Sequence, residues 1–124
     1  MSRILVVDDN GAVRDVLRML LSRAGYQVSA AAGGEPAIQI LESEKIDLAL
    51  VDIEMPMMSG YELCTFIKTD ERWRSVPVVL MTGRAIAGVP EQVTAVGAAT
   101  LIPKPFEREM LFKTLRELLE ARNA

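Results

Sequence analysis

Two stretches of the chain are apolar at almost every position and then stop on aspartate. Ile4-Leu5-Val6-Val7 runs into Asp8-Asp9, and the stretch 46–51 runs into Asp52. A strand with one wet face alternates apolar and polar residues, whereas a strand apolar throughout is covered on both faces. Residues 78–81 and 99–102 have the same character, and 26–31 reads as a weaker strand. Between these runs the period changes to that of a helix. After Asn10, a suitable N-cap, Val13, Val16, Leu17, Leu20 and Leu21 recur at helical spacing until Gly25. Pro36 stands near the start of a second helix, with Ala37, Ile38, Ile40 and Leu41 on its apolar side. A third helix is predicted over 61–69. A last one is predicted over 106–121, with Met110, Leu111, Leu115 and Leu118 facing inward. The stretch 85–100 carries one charged residue, Glu91, and contains Gly88, Pro90 and Gly97, so any helix there is short, about 90–96. It reads either as a mobile, partly apolar docking surface, which Phe112 and Leu119 would extend, or as simply buried.

Five strands alternating with five helical segments predict an α/β fold. The expected form is a single doubly wound, five-stranded parallel sheet with helices on both faces. At 124 residues the chain is expected to form one domain, 1–124, around one such sheet.

Composition narrows the chemistry. The chain contains no histidine, so it cannot by itself build a histidine general base, a histidine zinc site or a Ser-His-Asp triad. The formal charge is -3, with no basic block, which gives no footprint for nucleic acid. No apolar run is long enough to cross a bilayer, and Ser2-Arg3 leads straight into a strand, so a cytoplasmic location is expected. The single cysteine, Cys64, rules out an internal disulfide and reads as a small buried apolar residue. Met55, Met57 and Met58 read as loop and core filler beside Pro56, and Trp73 as packing a loop against the domain.

In doubly wound sheets ligands bind beyond the carboxyl ends of the strands. Asp8, Asp9, Asp52, Thr82 and Lys104 all fall at such ends. With the strand order 2-1-3-4-5 they would share one crevice. Three carboxylates held together repel, and a hard divalent cation relieves that repulsion; Mg2+ suits carboxylates, water and a substrate phosphate. A carboxylate nucleophile, a metal, a lysine and a hydroxyl are the parts needed for phosphoryl transfer to aspartate. Taken singly the residues have plainer readings: a solvated strand end for Asp8-Asp9, a turn residue for Thr82, a surface lysine for Lys104.

Taken together they resemble a family. An acidic pair after the first strand (Asp8-Asp9), D-x-x-M-P-x-x-S-G from Asp52 to Gly60, Thr82 after the fourth strand and Lys104-Pro105-Phe106 after the fifth are similar to the receiver domain of two-component response regulators, of the chemotaxis-regulator type. The resemblance covers essentially the whole chain. It implies a flavodoxin-like fold with strand order 2-1-3-4-5. It implies Asp52 as phosphoryl acceptor, with Mg2+ held by Asp9, Asp52 and the backbone carbonyl of Glu54, and by Asp8 either directly or through water. Thr82 and Lys104 would hold the phosphoryl oxygens, and the Lys104–Pro105 peptide would be cis. Glu54 and Arg84 would flank the phosphoryl group and tune its lifetime, Arg84 either pairing with Glu54 or hindering the attacking water. Leu101 stands where many members carry an aromatic residue that reports phosphorylation, which shifts the expected output toward the Thr82 loop. The implied partners are a histidine kinase or histidine phosphotransfer protein and a downstream target or separate output domain, with a phosphorylation-dependent dimer among the outcomes. The protein would be a switch that catalyses only its own phosphorylation and dephosphorylation. The alternatives are a receiver-like scaffold that needs no phosphorylation, and an aspartyl-phosphate phosphatase of the haloacid-dehalogenase type. The latter needs a second aspartate where Glu54 stands.

Overall fold

The computed structural model describes residues 1–84 and 89–123. Strands β1 (Arg3–Val7), β2 (Gln27–Ala31), β3 (Leu48–Asp52), β4 (Val78–Thr82) and β5 (Thr100–Pro103) alternate with helices α1 (Gly11–Arg23), α2 (Gly34–Ser43), α3 (Gly60–Thr69), α4 (Val89–Ala95) and α5 (Arg108–Asn123). The strands are parallel and lie in the order β2-β1-β3-β4-β5. This is the doubly wound arrangement that the unbroken apolar strands predict, in the flavodoxin-like strand order that the family resemblance implies.

Alternate residues of the central strands feed two separate cores. Leu5, Val7, Ala49, Val51, Val78 and Leu80 pack with Ala37, Leu41, Leu63, Ile67 and Val93 from α2, α3 and α4. Ile4, Val6, Leu48, Leu50, Val79 and Met81 pack with Leu17, Leu21, Leu111, Leu115 and Leu119 from α1 and α5. Each fully buried Leu or Ile contributes about 1.5–3 kcal/mol, so the middle of the sheet holds the strand ends firmly in register.

Two predicted inward positions point out instead. Val16 and Met110 are 44% and 43% exposed, while Leu119, read as extending an apolar docking surface, is buried at 5%. The inward rows step by four residues: Val13, Leu17 and Leu21 on α1, and Leu111, Leu115 and Leu119 on α5. Val16 and Met110 each precede a row member by one residue, which turns them about 100° around the helix. Cys64 is fully buried, and burial pushes its thiol up to about 11, in keeping with an inert apolar role. Trp73 is also buried. The Arg72 guanidinium covers its ring at 4.0 Å and Phe66 lies 5.7 Å from it, which packs the loop after α3 against the domain.

The helix ends have identifiable stops. The Asn10 side chain accepts from the N–H groups of Ala12 and Val13. Ser59 and Glu62 form a reciprocal capping box at the start of α3. At the far end of the sheet, Arg122 donates to the carbonyls of Ile46 and Asp47 at 3.3 and 2.7 Å, tying α5 to the approach into β3. No helix among the described residues is long and apolar enough to cross a membrane.

Candidate functional site

The carboxyl ends of β1, β3, β4 and β5 bring the predicted residues together. Asp8 follows β1, and its N–H donates to the Ala31 carbonyl, which continues the β1–β2 ladder by one step. Its side chain is fully buried: one oxygen accepts from the Asn10 N–H at 2.9 Å, and the other from the Lys104 ammonium at 3.1 Å. Asp9 is exposed at the rim. Asp52 is the last residue of β3, paired across the sheet with Met81, and is only 2% exposed. Each of Asp8, Asp9 and Asp52 offers a carboxylate oxygen within 4.8 Å of the other two.

A close approach of the chain fixes Asp52 from behind. The Gly60 N–H donates to the Ile53 carbonyl at 2.9 Å. A Cβ on Gly60 would collide with the Asp52 carbonyl oxygen and lie 2.7 Å from Ile53 Cα. Glycine at this position is what lets the start of α3 fold back onto the end of β3.

Lys104 reaches in from the turn after β5. Its N–H donates to the Thr82 carbonyl at 2.7 Å, and the Lys104–Pro105 peptide is cis as expected. Its ammonium stands 3.1 Å from Asp8 and 3.3 Å from Asp52 Oδ1. The second contact lacks hydrogen-bonding alignment, so Asp52 Oδ1 is a buried oxygen with no hydrogen-bond partner among the described residues. Burial first, and then the Asp8 charge, push the Asp52 carboxyl from 3.8 up to about 6, against the opposing pull of Lys104. Burial works to lower the Lys104 ammonium, but the Asp8 hydrogen bond and the charges of Asp52 and Asp8 outweigh it and raise it. A buried, orphaned carboxylate oxygen beside two further carboxylates is a donor set suited to a hard divalent cation.

Thr82, 1% exposed, closes the other side. Its hydroxyl lies 3.0 Å from both carboxylate oxygens of Glu54, to which it donates, and it accepts from the Arg84 N–H at 3.1 Å. The Gly83 N–H also donates to Glu54, at 3.2 Å. Among the described residues no ion pair joins Glu54 to Arg84, the alternative the sequence had left open. Leu101 is half-buried on β5 and packs against the core that α2, α3 and α4 cover. Pro105 is exposed beside an apolar hollow of about 300 Å³ that it shares with Val13, Val16 and Phe106. A second cleft, of about 490 Å³, lies against Thr82, Glu54, Tyr61 and Arg84. A larger hollow, of about 530 Å³, lies at the opposite end of the sheet. On its rim Arg3 pairs with Gln27 and Glu44.

Two contacts were not foreseen. The Arg14 guanidinium donates to the Asp8 backbone carbonyl at 2.7 Å and so braces the acidic pair from α1. The only sequence signal for it was a cation one and a half turns after that pair. The Glu54–Thr82 hydrogen bond left no periodic signal, because it joins the loop after β3 to the end of β4, 28 residues away.

Comparison with known proteins agrees with this geometry. The family model of the response regulator receiver domain matches residues 4–116. The chain is 38% identical over 119 residues to the response regulator MprA of Mycolicibacterium vanbaalenii, covering 94% of this chain and 50% of that protein. It is 37% identical over 110 residues to the CAI-1 autoinducer sensor kinase/phosphatase CqsS of Vibrio cholerae, covering 88% of this chain and 16% of that protein. The chain spans about half the length of the first curated relatives it matches. Among solved structures, the chemotaxis protein CheY4 of Vibrio cholerae superposes with a TM-score of 0.90 at 30% identity, covering 95% of this chain and 98% of that one. The five-stranded parallel sheet, the carboxylate cluster at its rim and the family match over residues 4–116 lead to one conclusion: the chain belongs to the response regulator receiver-domain family.

Proposed function

We propose that residues 1–124 form a phosphorylation-dependent switch in which Asp52 accepts a phosphoryl group from a phosphohistidine on a partner. The observation that carries this reading is the Asp52 carboxylate itself. It is buried, without a hydrogen-bond partner at Oδ1 among the described residues, and set within 4.8 Å of Asp8 and Asp9 oxygens, with the Lys104 ammonium 3.3 Å away. Such a carboxylate keeps an oxygen free to attack a phosphorus centre, and the Lys104 ammonium beside that same oxygen offsets its charge. Mg2+ would be held by Asp8, Asp9, Asp52 and the Glu54 backbone carbonyl, and would supply charge neutralisation for the incoming phosphoryl oxygens.

The chain's own residues do the rest. Lys104 is fixed by Asp8 and so stands ready to pair with a phosphoryl oxygen. Thr82, at the end of β4, supplies a hydroxyl donor whose movement carries its loop. The phosphoryl group adds nearly two negative charges and strong acceptor oxygens, and a bias of a few kcal/mol is enough to change partner binding. With Leu101 in place of an aromatic residue, the output passes through the Thr82 loop and α4. The donor histidine lies outside residues 1–124, which contain none. The apolar hollow formed by Val13, Val16, Pro105 and Phe106 flanks Lys104 and gives a kinase or phosphotransfer protein a surface beside the acceptor. The protein works in the cytoplasm, and its output is a downstream protein target or an attached domain.

The test is intact mass after incubation with a small acyl phosphate, with and without Mg2+, on the wild type and on Asp52→Asn. One Mg2+-dependent phosphoryl addition, absent in the variant, is expected. A wild type that neither binds Mg2+ nor gains mass would put the scaffold reading in its place.

A further inference from the structure

We infer that the Glu54 side chain is a latch that holds the Thr82 hydroxyl away from the phosphoryl site and competes with the phosphoryl group for it. The inference rests on the phosphoacceptor reading of Asp52. Thr82 is nearly inaccessible, and its one hydroxyl proton is committed to the Glu54 carboxylate, 3.0 Å from either oxygen. The same carboxylate takes the Gly83 N–H, and the same hydroxyl takes the Arg84 N–H. Three consecutive residues of the loop after β4 are thus organised around one acid that belongs to the loop after β3. Glu54 is two residues beyond Asp52, near enough to sense what is attached there.

A hydroxyl has one proton to donate. To reach a phosphoryl oxygen at Asp52, Thr82 must therefore release Glu54. The release breaks a hydrogen bond to a charged acceptor, which is stronger than one between neutral groups. The Gly83 contact loosens with it, so residues 82–84 move together. The cleft of about 490 Å³ beside Glu54, lined by Tyr61, Arg84 and Gln92, leaves the freed carboxylate room to turn. The latch sets a threshold: it lowers occupancy of the active loop conformation before phosphorylation, and it weakens the hold on the phosphoryl group afterwards. Glu54 acts through Thr82 and is a positioning residue.

The two ways in which Glu54 can oppose an anion are separable. As a plain negative charge it would repel the anion whatever stands at position 82. As a latch it acts only when Thr82 has its hydroxyl. Beryllofluoride with Mg2+, a tetrahedral mimic of a phosphoryl group, is the probe. Its affinity is measured by titration calorimetry on the wild type, Glu54→Ala, Thr82→Val and the double variant, with urea unfolding to confirm each fold. Glu54→Ala is expected to bind about tenfold more tightly than the wild type, the low end of one charged hydrogen bond. In the Thr82→Val background the same change is expected to shift affinity less than twofold. The Gly83 amide proton should also move upfield in Glu54→Ala without ligand, since it loses a carboxylate partner. Equal tightening in both backgrounds would overturn the latch in favour of charge repulsion, and no tightening in either would overturn it outright. A wild type that fails to bind the probe with Mg2+ would bring down the phosphoacceptor reading instead, a result distinct from both.

Discussion

Asp52→Asn should stabilise the metal-free protein, although it removes a charged residue from beside a lysine. The Asp52 carboxyl is raised from 3.8 to about 6, chiefly by burial and then by Asp8, and its side chain is only 3% exposed. A folded-state value above the unfolded one means that the native state binds the proton more tightly. Stability is then fully present below about pH 4 and is lost as pH rises through about 6. Roughly two pKa units at 1.36 kcal/mol each give a penalty on the order of 3 kcal/mol at neutral pH. Asparagine escapes that penalty, but its buried amide, imperfectly partnered, costs about 1 kcal/mol. The net expectation is a gain of about 2 kcal/mol at pH 7.5 in EDTA, shrinking to nothing or reversing at pH 4. Urea unfolding of both proteins at four pH values between 4 and 7.5 measures this directly. Repeating it in saturating Mg2+ should reverse the order at pH 7.5, since a ligand bound only by the native wild type adds about 2.7 kcal/mol at a hundred times its Kd. A variant less stable than wild type at pH 7.5, by the same amount as at pH 4, would show that the Asp52 charge is well accommodated and that the argument from burial fails.

Four further outcomes are expected. Gly60→Ala should cost at least about 2 kcal/mol, since its Cβ would strike the backbone of Asp52 and Ile53; thermal melting measures the loss, and phosphoryl incorporation should fall with it. Met57 is fully exposed with φ +70, a left-handed conformation that disfavours methionine, so Met57→Asn should gain about 0.5 kcal/mol in urea unfolding. Arg122→Met should cost about 1–2 kcal/mol, because the Ile46 and Asp47 carbonyls lose their donor, with the phosphoryl chemistry at the opposite end of the sheet unchanged. Arg84→Ala should shorten the aspartyl-phosphate lifetime by about fivefold or less, the scale of an exposed charge contact, as followed by loss of the phosphorylated mass with time.

Much of this was visible in the sequence, for a physical reason. A strand covered on both faces has no alternation to misread, so the apolar runs identified the sheet, and the abrupt aspartates marked its working edge. Boundaries moved by a residue or two: Asp52 is the last residue of β3 rather than the first beyond it, because its backbone still pairs with Met81. The helices were harder. Val16 and Met110 sit one step from rows that advance by four, and composition alone does not separate the edge of a stripe from its centre. Polar contacts between loops were the least legible. Glu54 with Thr82, and Arg14 with the Asp8 carbonyl, depend on where two turns come to rest. No period along the chain encodes that.

Asp8 and Lys104 are joined across 96 residues of sequence. The consequence is one of timing. At usual rates of synthesis those residues take roughly 5–20 s to follow one another off the ribosome. During that interval Asp8 has no lysine and Asp52 has no β4 or β5 beside it. On the phosphoacceptor reading, a chain cut short before Lys104 would take up no phosphoryl group, however abundant the donor. The carboxylates and the lysine meet only when the last strand docks, so assembly of the site reports that the whole sheet has folded.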